Sequence, residues 1–440
     1  MKVFFCNIRL ACFLFSWLAA VASTLWHSSN NLLVFSGTLS FGVFLALAIF
    51  KIRLQSFLIL LLLASLAVLL LPKIPTWNNI LEGGKYILMF AGLIPTIALV
   101  KSTAFRMCAI HKSQAMLAKL PNRLAISGFQ IYAHFFGSVL NTGVFALLSA
   151  AVPPLTINKN RINLAMATLR GMVSSATWSP FFVAFVIGQI YIDSRSAWLA
   201  LPIGLAISLS FSLASIVFFS KNISVSEVYE STECLRPVFV YLVLIITIVL
   251  FFAISFDLTA LSAIITVMPL LVGVYLFFSQ SHVKPILTDT LDHLKDSSDD
   301  VVIISAAMLV GYFVTNLPDT SYAVSQLGLS SLPDWCVLLF IPLGMSAISL
   351  IGVHPVISST VLLSVFTSEN FNINHTLIMQ AHLIGWSTGT MCSIASLSVI
   401  TCSNLFKISN TRLCFGMNTI ATLFFALFGG LFLTIIEVFY

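Results

Sequence analysis

Charge is what this sequence has least of. Only 8% of its 440 residues are Asp, Glu, Lys or Arg, against roughly 25% in a soluble globular domain. Acids are scarcer than bases, 15 against 21, and they fall mostly in connectors between apolar runs. That shortage argues against an enzyme that needs paired carboxylates for acid–base work. Long polar stretches are missing too. The two longest, near Lys221–Arg236 and Ser279–Asp300, span about twenty residues each, too few for a separate soluble core. The eight cysteines are scattered, with no CxxC pair and no His at ligand spacing. They read as small apolar residues of helices, not as a disulfide frame or a metal site.

What fills the chain is hydrocarbon. Hydrophobic residues make up 59% of it, and the mean hydropathy is +1.04. The apolar runs are long and continuous, so they are helices and not strands of a membrane barrel. The net charge of +6 gives no reason to expect nucleic acid, because the basic residues sit at the ends of apolar runs, where orientation in the bilayer accounts for them.

Residues 1–30 hold a first helix. Its basic start, apolar middle and Ala-Val-Ala before Ser23 resemble a signal peptide, but Arg9 splits the apolar run and favours a retained helix. Apolar spans follow near Asn31–Phe50, Leu54–Leu71 and Tyr86–Val100. Lys101 to Arg123 carries five basic residues and no acid. Phe105, Cys108, Ala109, Met116 and Leu120 share one side of a helix there, which predicts an amphipathic helix on the cytoplasmic surface. Positive-inside bias explains its charges, and lipid recognition would fit them as well.

Two clusters of small and polar residues then interrupt apolar sequence: Ser138–Gly143 (SVLNTG) and Gly171–Pro180 (GMVSSATWSP). Small residues let helices pack closely. Irregular backbone at membrane depth, however, survives only where it lines a protein cavity. The pattern returns late in the chain. Gly352-Val353-His354-Pro355 breaks any helix across 334–369, and Gly385–Thr390 (GWSTGT) interrupts 376–405. Residues 31–219 and 237–440 therefore show one order of parts: three spans, connector, hairpin, broken helix, final span. Residues 220–236 form a cytoplasmic loop between them.

Basic residues set the orientation. Lys51/Arg53, the 101–123 arm, Lys159/Arg161, Lys221/Arg236, Lys284/Lys295 and Lys407/Arg412 all fall inside only if 123–154 and 334–369 each enter and leave on one face. The expected fold class is an all-α polytopic membrane protein with about 11 transmembrane helices in two inverted repeats. Each repeat has a re-entrant helical hairpin (inward at about 123–154, outward at about 334–369) and a broken helix (about 163–191 and about 376–405). The N-terminus lies inside and the C-terminus outside, in a multi-pass protein of the bacterial inner membrane.

With that order of parts, the chain from about residue 31 to the end resembles the divalent anion:sodium symporters of the ion transporter superfamily. Hairpin tips in that family carry Ser-Asn-Thr. Here Asn141-Thr142 matches the last two positions with Ser138 close by, while the second tip, Gly352 to Pro355 followed by Ser358, Ser359 and Thr360, has no Asn-Thr. Ser175-Ala176-Thr177-Trp178-Ser179-Pro180 and Ser387-Thr388-Gly389-Thr390 stand in part where the family has a Thr-Pro-Pro-Asn-like break. The resemblance implies a homodimer in the lipid bilayer whose transport domains move like elevators.

The residues suit such a site on their own terms. Half-helix N-termini hold anions, with Ser138, Asn141, Thr142, Thr177, Ser358, Ser359, Thr360, Thr388 and Thr390 as further donors. Carbonyls near Ser175, Ala176 and Gly389 suit a coupling sodium ion, and His354 suits a coupling proton. No Asp or Glu lies in any of the four clusters, which favours a small anionic substrate, a carboxylate or an oxyanion. Arg170 is the cation inside a broken helix. It either meets that substrate or serves a pairing or snorkelling role. Trp178, Phe181, Phe182 and Trp386 offer an apolar wall, or ordinary packing, and His134 and His382 read as satisfied packing residues. No cofactor beyond a coupling ion is expected. The function expected is secondary active, ion-coupled transport. The alternatives are a membrane enzyme acting on a lipid-linked or glycan substrate, a proton-coupled exporter of amphipathic compounds, and a non-transporting membrane subunit.

Overall fold

The computed structural model describes residues 2–25, 31–71, 73–153, 156–219, 223–316, 332–367, 373–394 and 396–439. Among them it contains helices and no strand. In the first half these are α1 (Lys2–Leu25), α2 (Asn31–Ile49), α3 (Leu54–Leu70), α4 (Trp77–Ala104), α5 (Cys108–Ala118), α6 (Asn122–Leu140), α7 (Val144–Ala151), α8 (Asn158–Ser174), α9 (Val183–Tyr191) and α10 (Ser194–Phe219). The second half has α11 (Val225–Thr232), α12 (Arg236–Ser255), α13 (Ala260–Phe278), α14 (Val283–Asp296) and α15 (Ser298–Asn316). It continues with α16 (Asp334–Leu350), α17 (Pro355–Phe366), α18 (His375–Cys392), α19 (Leu397–Phe406), α20 (Asn410–Cys414) and α21 (Met417–Glu437). Ten stretches among the described residues are long and apolar enough to cross a membrane, and α3 is a shorter apolar helix. The chain is a multi-pass membrane protein.

Several boundaries differ from those expected. The amphipathic helix after Lys101 is only α5, since Lys101 belongs to the last turn of α4, and its inner face is Ile110, Ser113 and Leu117. Cys108 and Met116 are exposed instead. The acidic segment 279–300 contains a helix, α14, which buries Ile286, Thr290 and Leu294 at four-residue spacing. The 220–236 loop holds α11, started by a capping box between Ser224 and Glu227. Most of the stretch between α15 and α16 lies outside the described residues.

The chain divides into two compact units, Met1–Arg106 with Thr247–Gly328 and Met107–Ile246 with Leu329–Tyr440. In the first, α4 packs on α1, α2, α13 and α15. A stack of Phe13, Phe41 and Phe44, with Phe13 and Phe44 centroids 4.4 Å apart, joins α1 to α2. Arg9, buried at 4% exposure, donates from its guanidinium to the Lys295 carbonyl at 3.0 Å. That places a cation at the negative C-terminal end of α14. Arg9→Leu removes this bond and is expected to destabilise the unit by about 1.5–3 kcal/mol, the range for a hydrogen bond to a charged group. The melting temperature of the purified protein checks it, with Arg53→Leu, at an exposed pair with Asp299, as the near-neutral control.

In the second unit, two helix–turn–helix hairpins, α6–α7 and α16–α17, lie against two interrupted helices, α8–α9 and α18–α19. Exchanging the halves reproduces the packing pairs. α6 on α8 corresponds to α16 on α18, α7 on α19 to α17 on α9, and α10 on α18 to α21 on α8. α8 meets α18, and α10 meets α21.

The turns have local causes. At the second tip Gly352 takes φ +92, its N–H donates to the Ser349 carbonyl (3.0 Å), and the Val353 N–H donates to the Ile348 carbonyl (3.4 Å). This is the Schellman arrangement that ends a helix on glycine. His354 then caps α17, with Pro355 in its first turn. At the first tip the reversal falls on Asn141, at φ 51 and ψ −134.

Candidate functional site

Around the first hairpin the polar groups bond to one another. The Asn141 N–H caps α6 on the Gly137 carbonyl, and its Oδ1 accepts from the Thr142 N–H at 2.8 Å. A short 3-10 turn, Asn141–Gly143, leads into α7. Ser138 donates to the Phe135 carbonyl at 2.6 Å, while the Ser138 carbonyl accepts from the Ser179 hydroxyl. Trp178 Nε1 donates to His134 Nε2 at 3.1 Å. His134 must therefore carry its proton on Nδ1, facing Ser174 Oγ at 3.0 Å. Trp178 is thus tied to this network as well as contributing an apolar face.

The break in α8–α9 begins with a 3-10 turn at Ser175–Thr177. Ser175 donates to the Met172 carbonyl at 2.6 Å, and Ala176 is buried. Thr177 Oγ1 donates to the carbonyls of Ser174 (2.8 Å) and Gly204 (3.2 Å). With the Gln380 amide turned so that its nitrogen faces these acceptors, it donates to the Thr177 carbonyl at 3.1 Å and the Ala200 carbonyl at 2.9 Å. Gly204 makes this approach possible, because a Cβ there would stand 1.9 Å from the Thr177 oxygen.

Around the second hairpin the accounting is less complete. His354 Nδ1 accepts from the Val356 N–H at 3.2 Å, and its ring meets Trp386 edge-on with centroids 6.4 Å apart. Ser358 and Thr360 donate to the Pro355 and Val356 carbonyls. Thr388 donates to the Ile384 carbonyl at 2.9 Å and accepts from Ser346 at 2.7 Å. Thr390 donates to the Trp386 carbonyl at 2.6 Å. Gly389 lies against Ser349, whose Oγ would be 2.6 Å from a Cβ at that position. By contrast, the buried hydroxyls of Ser349, Ser359 and Ser387 and the Nδ1 of His382 have no hydrogen-bond partner among the described residues. A buried hydroxyl without a partner costs about 1–3 kcal/mol; other hydroxyls in the same state, such as those of Ser102, Ser212, Thr266 and Ser305, lie elsewhere among the described residues, so it is their place beside the second hairpin that makes these groups candidates.

Two expectations change here. Gly385–Thr390 is not unwound: α18 runs through it, and the interruption lies between Cys392 and Leu397. The Gly389 carbonyl accepts from the Ser393 N–H at 3.1 Å and so is engaged in backbone bonding. His382 is satisfied only in part, through Nε2 on the Ala184 carbonyl at 3.0 Å. Ser349, Ser387 and His382 thus join the candidate residues. Ser387 lay inside a cluster visible in the sequence, whereas nothing in the local sequence distinguishes Ser349 or His382.

Arg170 stands apart from the tips. It is 2% exposed, donates from Nε to Gln130 Oε1 (3.3 Å) and from Nη1 to Asn418 Oδ1 (3.0 Å), and lies 4.3 Å from the Phe219 ring centroid. Among the described residues no carboxylate pairs with it. A buried guanidinium held only by neutral amides and a ring leaves a net positive charge inside this unit.

No family model matches this chain, and no curated protein matches it. Among solved structures it is similar to the Alcanivorax borkumensis YdaH transporter, described as having an unusual topology. The alignment covers 88% of this chain and 98% of that one, at 13% identity and a TM-score of 0.47.

Proposed function

We propose that this protein is a secondary active transporter of a small anion, a carboxylate or oxyanion, driven by sodium or by protons. The observation that carries the reading is the exchange-related packing of two hairpins on two interrupted helices. Transporters built from inverted repeats place their sites at such crossings of broken helices. Buried serine hydroxyls and a net positive interior suit an anion. The four clusters supply no acid that would select a cation.

In the first half α1 to α4, and in the second α13, α15 and the end of α12, belong to one unit, while the hairpin, interrupted helix and last span of each half belong to the other. That division supports an elevator-type mechanism, in which the hairpin unit carries the substrate. A homodimer in a bacterial inner membrane, with the N-terminus inside, fits the resemblance to divalent anion:sodium symporters and the distribution of basic residues. In this reading the tip groups Ser138, Asn141, Thr142, Ser358, Ser359 and Thr360 face the substrate together with Thr177, Thr388 and Thr390. Ser175, Ala176 and Gly389 frame the coupling cation, or His354 carries the proton.

Thermal unfolding of the purified protein against a panel of carboxylates and oxyanions, with and without sodium and at two pH values, tests this. A ligand at a hundred times its Kd stabilises by about 2.7 kcal/mol. The expected result is a sodium-dependent shift from one anion class that shrinks in Ser359→Ala. A shift that follows pH and ignores sodium would assign the coupling to protons. No shift from any anion would overturn the anion assignment.

A further inference from the structure

A groove opens at the base of the first hairpin, where the end of α5, the start of α6, the end of α7 and the start of α8 converge. Leu117, Ile126, Phe129 and Leu164 give it an apolar wall, and Asn122 and Asn160 add amides. Its volume is ≈ 50 Å³. Sites for organic metabolites run to roughly 300–1,000 Å³, so a folded small molecule does not fit, and the space takes only a short part of a hydrocarbon chain.

The charges around it are of one sign. Lys119 adjoins the wall residues Ala118 and Leu120, while Lys159 and Arg161 flank Asn160. Lys119 and Lys159 are exposed and Arg161 is half-buried. None of the three has an ion pair or side-chain hydrogen bond among the described residues. The nearby acid, Glu227, is already taken by Arg123 at 3.1 Å. The wall is also preformed: Gln114 Nε2 ties α5 to the Leu147 carbonyl of α7 at 2.8 Å. Gly128 lets Leu120 close on α6, where a Cβ would stand 2.4 Å from Leu120 Cδ1.

We propose that this groove binds one anionic phospholipid. Its phosphate meets Lys119, Lys159 and Arg161, and a short part of an acyl chain lies against the half-buried Ala125 and Ile126. Apolar surface beside unpaired cations on a membrane protein selects an amphiphile with a negative head; each such cation contributes roughly a fivefold gain in affinity. The site joins the arm helix, both ends of the hairpin and the first helix of the interrupted pair, so lipid occupancy bears on the hairpin directly. The inference rests on the groove and its charges and is independent of the transport reading.

The test uses the full chain purified in a neutral detergent, with native mass spectrometry counting retained phosphatidylglycerol against phosphatidylcholine. One phosphatidylglycerol retained in preference to phosphatidylcholine is expected. The combined variant Lys119→Gln, Lys159→Gln, Arg161→Gln should weaken retention on the order of a hundredfold. Ala125→Leu, which narrows the groove without touching a charge, should also weaken it, and decides the matter if the triple variant fails to fold. Lys407→Gln with Arg412→Gln, cations elsewhere on the chain, should change nothing. Equal retention of phosphatidylcholine, equal weakening by the Lys407/Arg412 variant, or full displacement by inorganic phosphate would each overturn the assignment, the last by showing a free-anion site.

Discussion

Gly204→Ala is expected to abolish recovery of a folded protein, although it adds a single methyl group to a helix. The added Cβ would stand 1.9 Å from the Thr177 oxygen and 2.7 Å from its carbonyl carbon. Neither side can give way cheaply. Thr177 sits in the 3-10 turn that begins the break in α8–α9. Its hydroxyl bonds the Ser174 and Gly204 carbonyls, and its own carbonyl faces Gln380. Overpacking of a core by a methylene typically costs 1–3 kcal/mol, and a backbone-to-backbone clash exceeds that range because no rotamer relieves it. Gly42→Ala is the matched control. Nothing lies within 4 Å of a Cβ there, so the substitution should gain about 0.5–1 kcal/mol of helix propensity. Detergent-extracted yield and melting temperature of the two variants, side by side, check the pair. A Gly204→Ala protein that melts with the wild type would mean that α10 does not approach the break this closely.

Much of this was legible because it is local. Asn141-Thr142 within an apolar run and Gly352 before His354-Pro355 marked the two reversals, and the structure turns at both, with hairpin helices ending at Ala151 and Phe366. The second broken helix was harder to place. Its serine and threonine cluster at Gly385–Thr390 stays helical because Thr388 and Thr390 donate to carbonyls four residues back, Ile384 and Trp386. That bonding lets a hydroxyl sit inside a helix. The actual restart is at Ser396, whose Oγ caps the Val399 N–H at 3.2 Å and donates to the Thr390 carbonyl at 2.7 Å. A serine before an apolar run is a helix-start signal, but the preceding glycines outweighed it. α14 was hidden by its five acids and lysines, although Ile286, Thr290 and Leu294 share a face. What no local pattern could supply is pairing at distance. Arg170 meets Gln130 forty positions earlier and Asn418 far later in the chain, and those neutral partners decide how its charge is held.

Asn141 separates structure from function most sharply. At φ 51 and ψ −134 it occupies a backbone region close to the first central position of a type II′ turn, where glycine is preferred. A residue with a Cβ is strained there by about 1–3 kcal/mol. Asn141→Gly removes that strain together with the Oδ1 bond to the Thr142 N–H, worth about 1 kcal/mol. Its stability should therefore match the wild type to within about 1 kcal/mol. Asn141→Ala keeps the strain and loses the bond, so it should melt lower than either. If the asparagine is present only to turn the chain, the glycine variant transports normally. If its amide nitrogen donates to an anion, that charge-assisted bond is worth about 1.5–3 kcal/mol, and the glycine variant loses anion affinity by roughly ten- to a hundredfold while remaining folded. We expect the second outcome, read as a lost anion-induced thermal shift and slowed uptake into proteoliposomes. Wild-type binding by Asn141→Gly would assign the residue to the turn alone and move the anion's contacts to the unpartnered hydroxyls of Ser359 and Ser387.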